Sequence, residues 1–213
     1  MFKAVLFDLD GTLADTTEYI LQAFDHVLKL NGVASVDHAT MKKLIGIPLR
    51  DCYQVLAPGL NYEELRDAHT QFQLENVQLI KLFPASLSIL KSLRETGFKT
   101  GLVTTRGPKT LHCVLEQSGL DKLLDVVVGE ADVQQQKPHP EALLLALSKL
   151  GVEPPNAVMV GDSEADIRGG QNAGMKTIGV TFGPNGHHVR EFQPDWVVDE
   201  MRLILEIINK QGK

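Results

Sequence analysis

Basic runs are missing from this sequence, as are apolar runs of membrane-spanning length, internal repeats and low-complexity tracts. Its 21 Lys and Arg are outnumbered by 27 Asp and Glu, for a net charge of -6. Without a basic face, nucleic acid is not an expected partner. The short apolar runs likewise exclude a membrane partner. An acidic chain that binds an anion must raise its positive field locally, from a metal ion or a few Lys and Arg side chains. Cysteine is scarce: Cys52 and Cys113 stand alone, each in a helical pattern. That excludes a disulfide framework and predicts reduced thiols. The first residues run directly into a strand pattern, so no targeting segment is expected and the expected compartment is cytoplasmic.

One further absence concerns structure. After the apolar run Ala4–Phe7, no strand pattern appears until about Thr100. A parallel crossover needs about a dozen residues and one helix, whereas roughly ninety separate these two strands, too many for a structureless loop. The interval is instead helical. Ile20, Ala23, Phe24, Val27 and Leu28 recur at 3/4 spacing, with Asp15 as the expected N-cap, Glu18 three residues on, and Asn31-Gly32 as the stop. Further helical stretches are expected over 37–45, over 49–56 and from Asn61 onward. The chain is therefore expected to divide into a core of residues 1–15 and 81–213 and an inserted helical cap of residues 16–80, seated over the end of the first strand. A lid there would exclude water from the crevice.

From Phe83 the pattern is regular: helix, glycine stop, β-branched strand, repeated. Strands are expected at 99–103, 125–128, 157–160, 177–180 and, weakly, 196–198. Such alternation means βα units and a mainly parallel sheet. The fold class is α/β, with a Rossmann-like parallel sheet core and an inserted small α-helical cap.

Reactive groups sit where the apolar strands end. The first strand ends in Asp8-Leu9-Asp10-Gly11-Thr12, the second in Thr104-Thr105-Arg106, and the fourth in Gly161-Asp162 with Asp166 four residues on. Lys137 lies on the loop after the third strand. In a parallel sheet these ends share one edge, where ligands bind. Taken singly, Thr104 reads as a helix cap, Lys137 as a solvated loop charge, and Asp162 with Asp166 as an N-cap and a first-turn acid. Their convergence on one edge points instead to phosphoryl transfer. Asp8 and Asp162 are natural ligands for Mg2+, a hard cation that takes carboxylate oxygens. An ionised Asp8 can attack phosphorus and form an aspartyl-phosphate. Asp10 is placed to protonate the leaving oxygen and later deprotonate water. Thr104 and nearby N–H groups would hold phosphoryl oxygens, with Lys137 as a fixed positive charge.

These motifs, in this order, resemble those of the haloacid dehalogenase-like (HAD) hydrolases, and the resemblance runs the length of the chain. It implies Asp8 as nucleophile and Asp10 as acid/base. It also implies Mg2+ held by Asp8, the Asp10 backbone carbonyl and Asp162, with Asp166 supporting the metal shell, and a first strand central to the sheet. The dehalogenases of the family lack an acid at the place of Asp10, so carbon–halogen cleavage is not expected. The β-phosphoglucomutase branch carries a histidine where Ile20 stands here, so hydrolysis is expected over phosphomutase chemistry. Phe83-Pro84, Lys137-Pro138-His139-Pro140 and Gly179-Val180-Thr181-Phe182-Gly183 look most like phosphoglycolate phosphatases and their pyrophosphatase relatives. The chain departs from them at Thr104-Thr105-Arg106 and at Pro184-Asn185-Gly186. The expected partner is a small phosphorylated metabolite: phosphoglycolate, pyrophosphate, a sugar phosphate or a nucleotide, in that order. Arg50, Thr105 and Arg106 are candidate substrate contacts, since Arg forks suit anions; an exposed first-turn residue is the other reading of Arg50. His187, His188 and His139 are expected to be solvated or at a helix start, and Phe192 and Trp196 to pack. Outside enzymes, the alternative is a phosphoacceptor signalling module. Such modules carry their acceptor Asp on a middle strand, whereas the third strand here ends in Val128-Gly129-Glu130.

Overall fold

A computed structural model describes residues 1–211. Six parallel strands form the core sheet: β1 (Ala4–Phe7), β4 (Lys99–Val103), β5 (Val126–Val128), β6 (Ala157–Gly161), β7 (Lys176–Val180) and β8 (Trp196–Val198), in the order β5-β4-β1-β6-β7-β8. Two short strands, β2 (Ala14–Asp15) and β3 (Lys81–Leu82), pair antiparallel apart from it. Helices α1 (Thr17–Leu30), α2 (His38–Lys42), α3 (Leu49–Leu56) and α4 (Tyr62–Glu75) lie between β2 and β3. The remainder, α5 (Ser86–Glu95), α6 (Pro108–Ser118), α7 (Glu141–Leu150), α8 (Glu164–Asn172) and α9 (Arg202–Gln211), flank the sheet.

The uninterrupted apolar run of β1 follows from burial on both faces. Side chains alternate across a strand. Val5 and Phe7 join a core with Ile89 and Leu90 of α5 and Ile204 of α9, while Ala4 and Leu6 join another with Leu143 and Leu147 of α7. From β1 the chain builds outward through β4 and β5 on one side, then through β6, β7 and β8 on the other. β1 therefore stands at the point where the strand order reverses. A crevice opens there, at the carboxyl ends of β1, β4 and β6.

The helical insertion has its own apolar cluster. Tyr19, Phe24, Val27 and Leu28 of α1 pack with Met41, Tyr53 and Leu65 from the other three helices. Its roots differ from the sequence expectation. Ala14 pairs with Leu82 and Asp15 with Lys81, so both connections leave the core as one ribbon. Strands of two residues are too short to alternate, and no periodicity announces them. Asp15 consequently lies in β2 and is not the N-cap of α1. Thr16 takes that position, but its hydroxyl donates to Asp10 instead of closing the helix end. Asp15 Oδ1 accepts the Thr17 N–H at 3.1 Å. The second helical stretch is shorter than expected, with α2 capped by Asp37 and ending at Lys42.

Candidate active site

Asp8 follows β1 directly, and its N–H continues the pairing with β6 by donating to the Val160 carbonyl at 3.0 Å. The next turn requires Gly11. Its φ is +86°, and a Cβ there would lie 2.5 Å from Asp162 Oδ2. That close approach brings the ends of β1 and β6 together.

Lys137 sits at the centre. Its ammonium donates to Asp8 Oδ1 at 2.7 Å, Asp166 Oδ1 at 2.6 Å and the Val103 carbonyl at 2.7 Å. Three donors and three acceptors leave it saturated. Both oxygens of Asp166 are engaged as well, because its Oδ2 accepts both the N–H and the hydroxyl of Ser163, at 3.1 and 2.6 Å. Ser163, not Asp162, is the N-cap of α8, in a capping box with Asp166. Asp162 Oδ2 accepts the Asn185 N–H at 3.2 Å. Oxygens of Asp8, Asp162 and Asp166 lie within 4.8 Å of one another, all on buried side chains. Two oxygens of this cluster, Asp8 Oδ2 and Asp162 Oδ1, accept no hydrogen bond from the described residues.

The electrostatics show an unmet charge. Burial lifts the Asp8 carboxyl to about 7; Lys137 opposes the rise, and Asp166 and Asp10 add to it. Burial, then Asp166 and Asp8, hold Asp162 well above the usual carboxylate range. Burial disfavours the Lys137 charge, but Asp166 and Asp8 outweigh that and raise its pKa. Three buried carboxyls thus cluster where one ammonium pairs with only two of them, Asp8 and Asp166. Carboxylate oxygens without donors, in a buried and over-acidic cluster, make a donor set suited to a hard divalent cation.

Asp10 is held separately. Arg106 donates to it through Nε, at 3.0 and 3.2 Å, and through Nη2, at 2.6 Å; Thr16 Oγ1 donates at 2.6 Å. Both partners of this ion pair are buried. The Arg106 guanidinium also lies 5.0 Å from the centroid of the Tyr19 ring. Thr104 is buried at the end of β4, and its Oγ1 accepts the Arg106 N–H at 3.3 Å.

Two spaces adjoin these groups. A cavity of 340 Å3 lies between insertion and core, bordered by Asp10, Thr105 and Arg106 on one side and Ile20, Phe24 and His69 on the other. A wider cleft of 1050 Å3 runs past Lys137, Ser163 and Asn185 of the core and Lys43, Arg50 and Arg66 of the insertion. The structure therefore brings Asp8, Asp162, Asp166 and Lys137 into one cluster, with Asp10, Thr104, Thr105 and Arg106 beside it. Arg50 stands apart. It is exposed, pairs with Glu63 and lies 4.0 Å from the Tyr62 ring centroid. His187 and His188 are exposed, and Trp196 packs edge-on against Phe2. Sequence reasoning passed over Thr16, Ser163, Asn185 and His69. Only Ser163 carried a local signal, as the first residue of a Ser-x-x-Asp helix start.

Comparison with known proteins agrees with this geometry. The family model described as haloacid dehalogenase-like hydrolase matches residues 5–180. The chain is 36% identical over 213 residues to a protein named pyrophosphatase PpaX from Bacillus cereus (strain AH820), covering 99% of this chain and 98% of that one. A PpaX from Bacillus pumilus (strain SAFR-032) is 38% identical over 207 residues, covering 97% and 96%. Among solved structures, a haloacid dehalogenase-like hydrolase from Bacteroides fragilis superimposes with a TM-score of 0.88 at 27% identity, covering 96% of this chain and 100% of that one. CbbY from Rhodobacter sphaeroides, solved in complex with phosphate, gives 0.83 at 25%, covering 94% and 95%. With its acidic strand ends, its bridging lysine and a family match over most of its length, the chain belongs to the haloacid dehalogenase-like hydrolases.

Proposed function

We propose that the protein is a Mg2+-dependent phosphatase acting on a small phosphorylated substrate through an aspartyl-phosphate. The observation that carries this is the Lys137 bridge. It holds Asp8 in place through Oδ1 and leaves Oδ2 without a donor, beside the equally open Asp162 Oδ1. Asp8, Asp162 and the Asp10 carbonyl would hold Mg2+, with Asp166 fixing the ammonium that orients Asp8. When bound, the ion would neutralise phosphate charge and favour the ionised form of Asp8.

The residues then divide the chemistry. A carboxylate oxygen of Asp8 attacks phosphorus, and the bond to the leaving oxygen breaks. Asp10 gives that oxygen a proton, then takes one from the water that attacks the aspartyl-phosphate. Phosphate departs and Asp8 is regenerated. Thr104 and neighbouring N–H groups bind the phosphoryl oxygens. Lys137 adds a fixed positive charge beside them while its ammonium stays on Asp8, Asp166 and the Val103 carbonyl. Arg106 with Thr16 fixes the orientation of Asp10. Residues 16–80 act as the cap that keeps bulk water from this reaction. Ile20, apolar at the cavity wall, stands where the mutase branch carries a histidine, which supports hydrolysis over the mutase reaction.

Two substrate classes are carried forward. A phosphate monoester of the phosphoglycolate kind fits the place of Asp10 at the cavity wall, where an alkoxide leaving group would depart. Pyrophosphate is favoured by the names of the curated relatives. Phosphate release from a panel containing both, with and without Mg2+, separates them. Asp8→Asn should abolish turnover while leaving the fold intact. Full turnover in that variant would eliminate the covalent route, and release of a single equivalent would indicate a phosphoacceptor module instead. No helix among the described residues is long and apolar enough to cross a membrane.

A further inference from the structure

Asn185 touches two parts of the molecule that move independently in any lid mechanism. Its backbone N–H donates to Asp162 Oδ2 at 3.2 Å. Its side-chain Nδ2 donates to the Ile45 carbonyl at 2.9 Å. Ile45 is 3% exposed and belongs to the apolar cluster of the insertion. The Gly46 that follows it has φ +90°, and a Cβ there would lie 3.5 Å from Ser163. This turn is thus where the insertion rests on the β6 end of the core. Beyond the roots of the insertion, the described residues make only one other polar contact of this kind, Tyr19 against Arg106.

We infer that Asn185 is a positioning residue that sets the orientation of Asp162 according to whether the insertion is seated. The inference rests on the reading of Asp162 as a metal ligand. With the insertion down, the side-chain amide anchors the loop after β7. The Asn185 N–H then occupies Oδ2 and leaves Oδ1 as the donor. With the insertion lifted, Nδ2 loses its acceptor, and the loop has one bond fewer to hold its N–H against the carboxylate. Linkage makes this reciprocal: a cation held by Asp162 favours the seated insertion by the same factor that seating favours the cation. An asparagine serves both ends because its backbone N–H and its side-chain amide are separate donors, set in the Gly183–Gly186 turn, where the Gly186 N–H donates to the Gly183 carbonyl at 3.0 Å.

The test is amide hydrogen exchange on the full chain, with and without Mg2+, paired with calorimetric titration of Mg2+. The reporters are the amides of Ile45 and Ile47, whose turn bonds to the Lys42 and Leu44 carbonyls adjoin the carbonyl that Asn185 anchors, so that losing the anchor frees the turn to open. In the unaltered protein, Mg2+ should slow their exchange by about 3- to 10-fold, the range set by one hydrogen bond. In Asn185→Ala that slowing should vanish and Mg2+ affinity should fall by a similar factor. Binding of Mg2+ to the unaltered protein without any slowing at Ile45 and Ile47 overturns the inference, and that arm needs no variant. Slowing that persists undiminished in Asn185→Ala overturns it as well. Absence of Mg2+ binding altogether overturns instead the reading of the acidic cluster as a metal site.

Discussion

His69 carries a cost that pH can expose. It lies in α4, 3% exposed, its ring 5.1 Å from that of Phe24 and its Nδ1 2.8 Å from the Tyr53 hydroxyl. Burial, with a smaller contribution from the Arg106 charge, lowers its pKa from 6.5 to about 3. The folded protein therefore keeps His69 neutral where the unfolded chain protonates it. The unfolded state binds more protons between those two values, so stability is full above 6.5 and is lost as pH falls toward about 3. At about pH 5 the unfolded chain gains roughly 1.5 pH units of protonation free energy at this site, or about 2 kcal/mol at 1.36 kcal/mol per unit. Asp8 and Asp162, whose carboxyls are raised, contribute with the opposite sign. The comparison must therefore be a double difference. Urea unfolding of the unaltered protein and of His69→Gln, at about pH 8 and about pH 5 without divalent ions, supplies it. Gln retains a polar partner for the Tyr53 hydroxyl, and the acidic cluster is common to both proteins and cancels. The stability lost on acidification should be about 2 kcal/mol greater in the unaltered protein, with equal slopes against urea. A difference below about 0.5 kcal/mol would mean that His69 is protonated in the folded state, and the burial argument would fail.

Arg106→Met should leave Asp10 buried without its cation and cost about 3–5 kcal/mol in thermal or urea unfolding; a loss under about 1 kcal/mol would show that Asp10 finds water or another donor. Because the Asp8 carboxyl is raised to about 7, protons compete with a cation for it. Mg2+ affinity measured by calorimetry should therefore weaken as pH falls below about 7, and an affinity flat from about pH 8 to about pH 5.5 would contradict this. Chelation by EDTA should stop phosphate release, and added Mg2+ should restore it; release that continues in EDTA would detach the activity from the carboxylate cluster.

Much of the core was legible because its signals are local. The β1 run, apolar on both faces, and the bounds of β4, β8 and α3 stand where the apolar patterns and glycine stops put them. The edge shared by Asp8, Lys137 and Asp162 was legible as well, since parallel strands leave no alternative for where their carboxyl ends lie. What escaped were pairings without a local trace. Arg106 looked like a substrate contact, and its Nε and Nη2 also pair with Asp10, 96 residues away in sequence, while Nη1 keeps no partner among the described residues. Thr16 looked like part of a helix start, yet its hydroxyl reaches back to the same carboxylate. Asn185 showed only as a departure from a familiar glycine loop, with nothing to signal two partners on different bodies. Such contacts depend on how the insertion settles on the sheet, and no periodicity within either segment encodes that.

The β2–β3 ribbon has an evolutionary and practical meaning. Because the outgoing and returning chains are hydrogen-bonded neighbours, Ala14 to Leu82 and Asp15 to Lys81, the sheet experiences the whole helical module as if it were a hairpin tip. Swapping that module for another, or for a two-residue turn, leaves the ends already closed and adds little loop entropy. A scaffold joined in this way can take a different helical module at little cost in chain closure, provided the replacement again offers Asp10 the hydroxyl that Thr16 supplies.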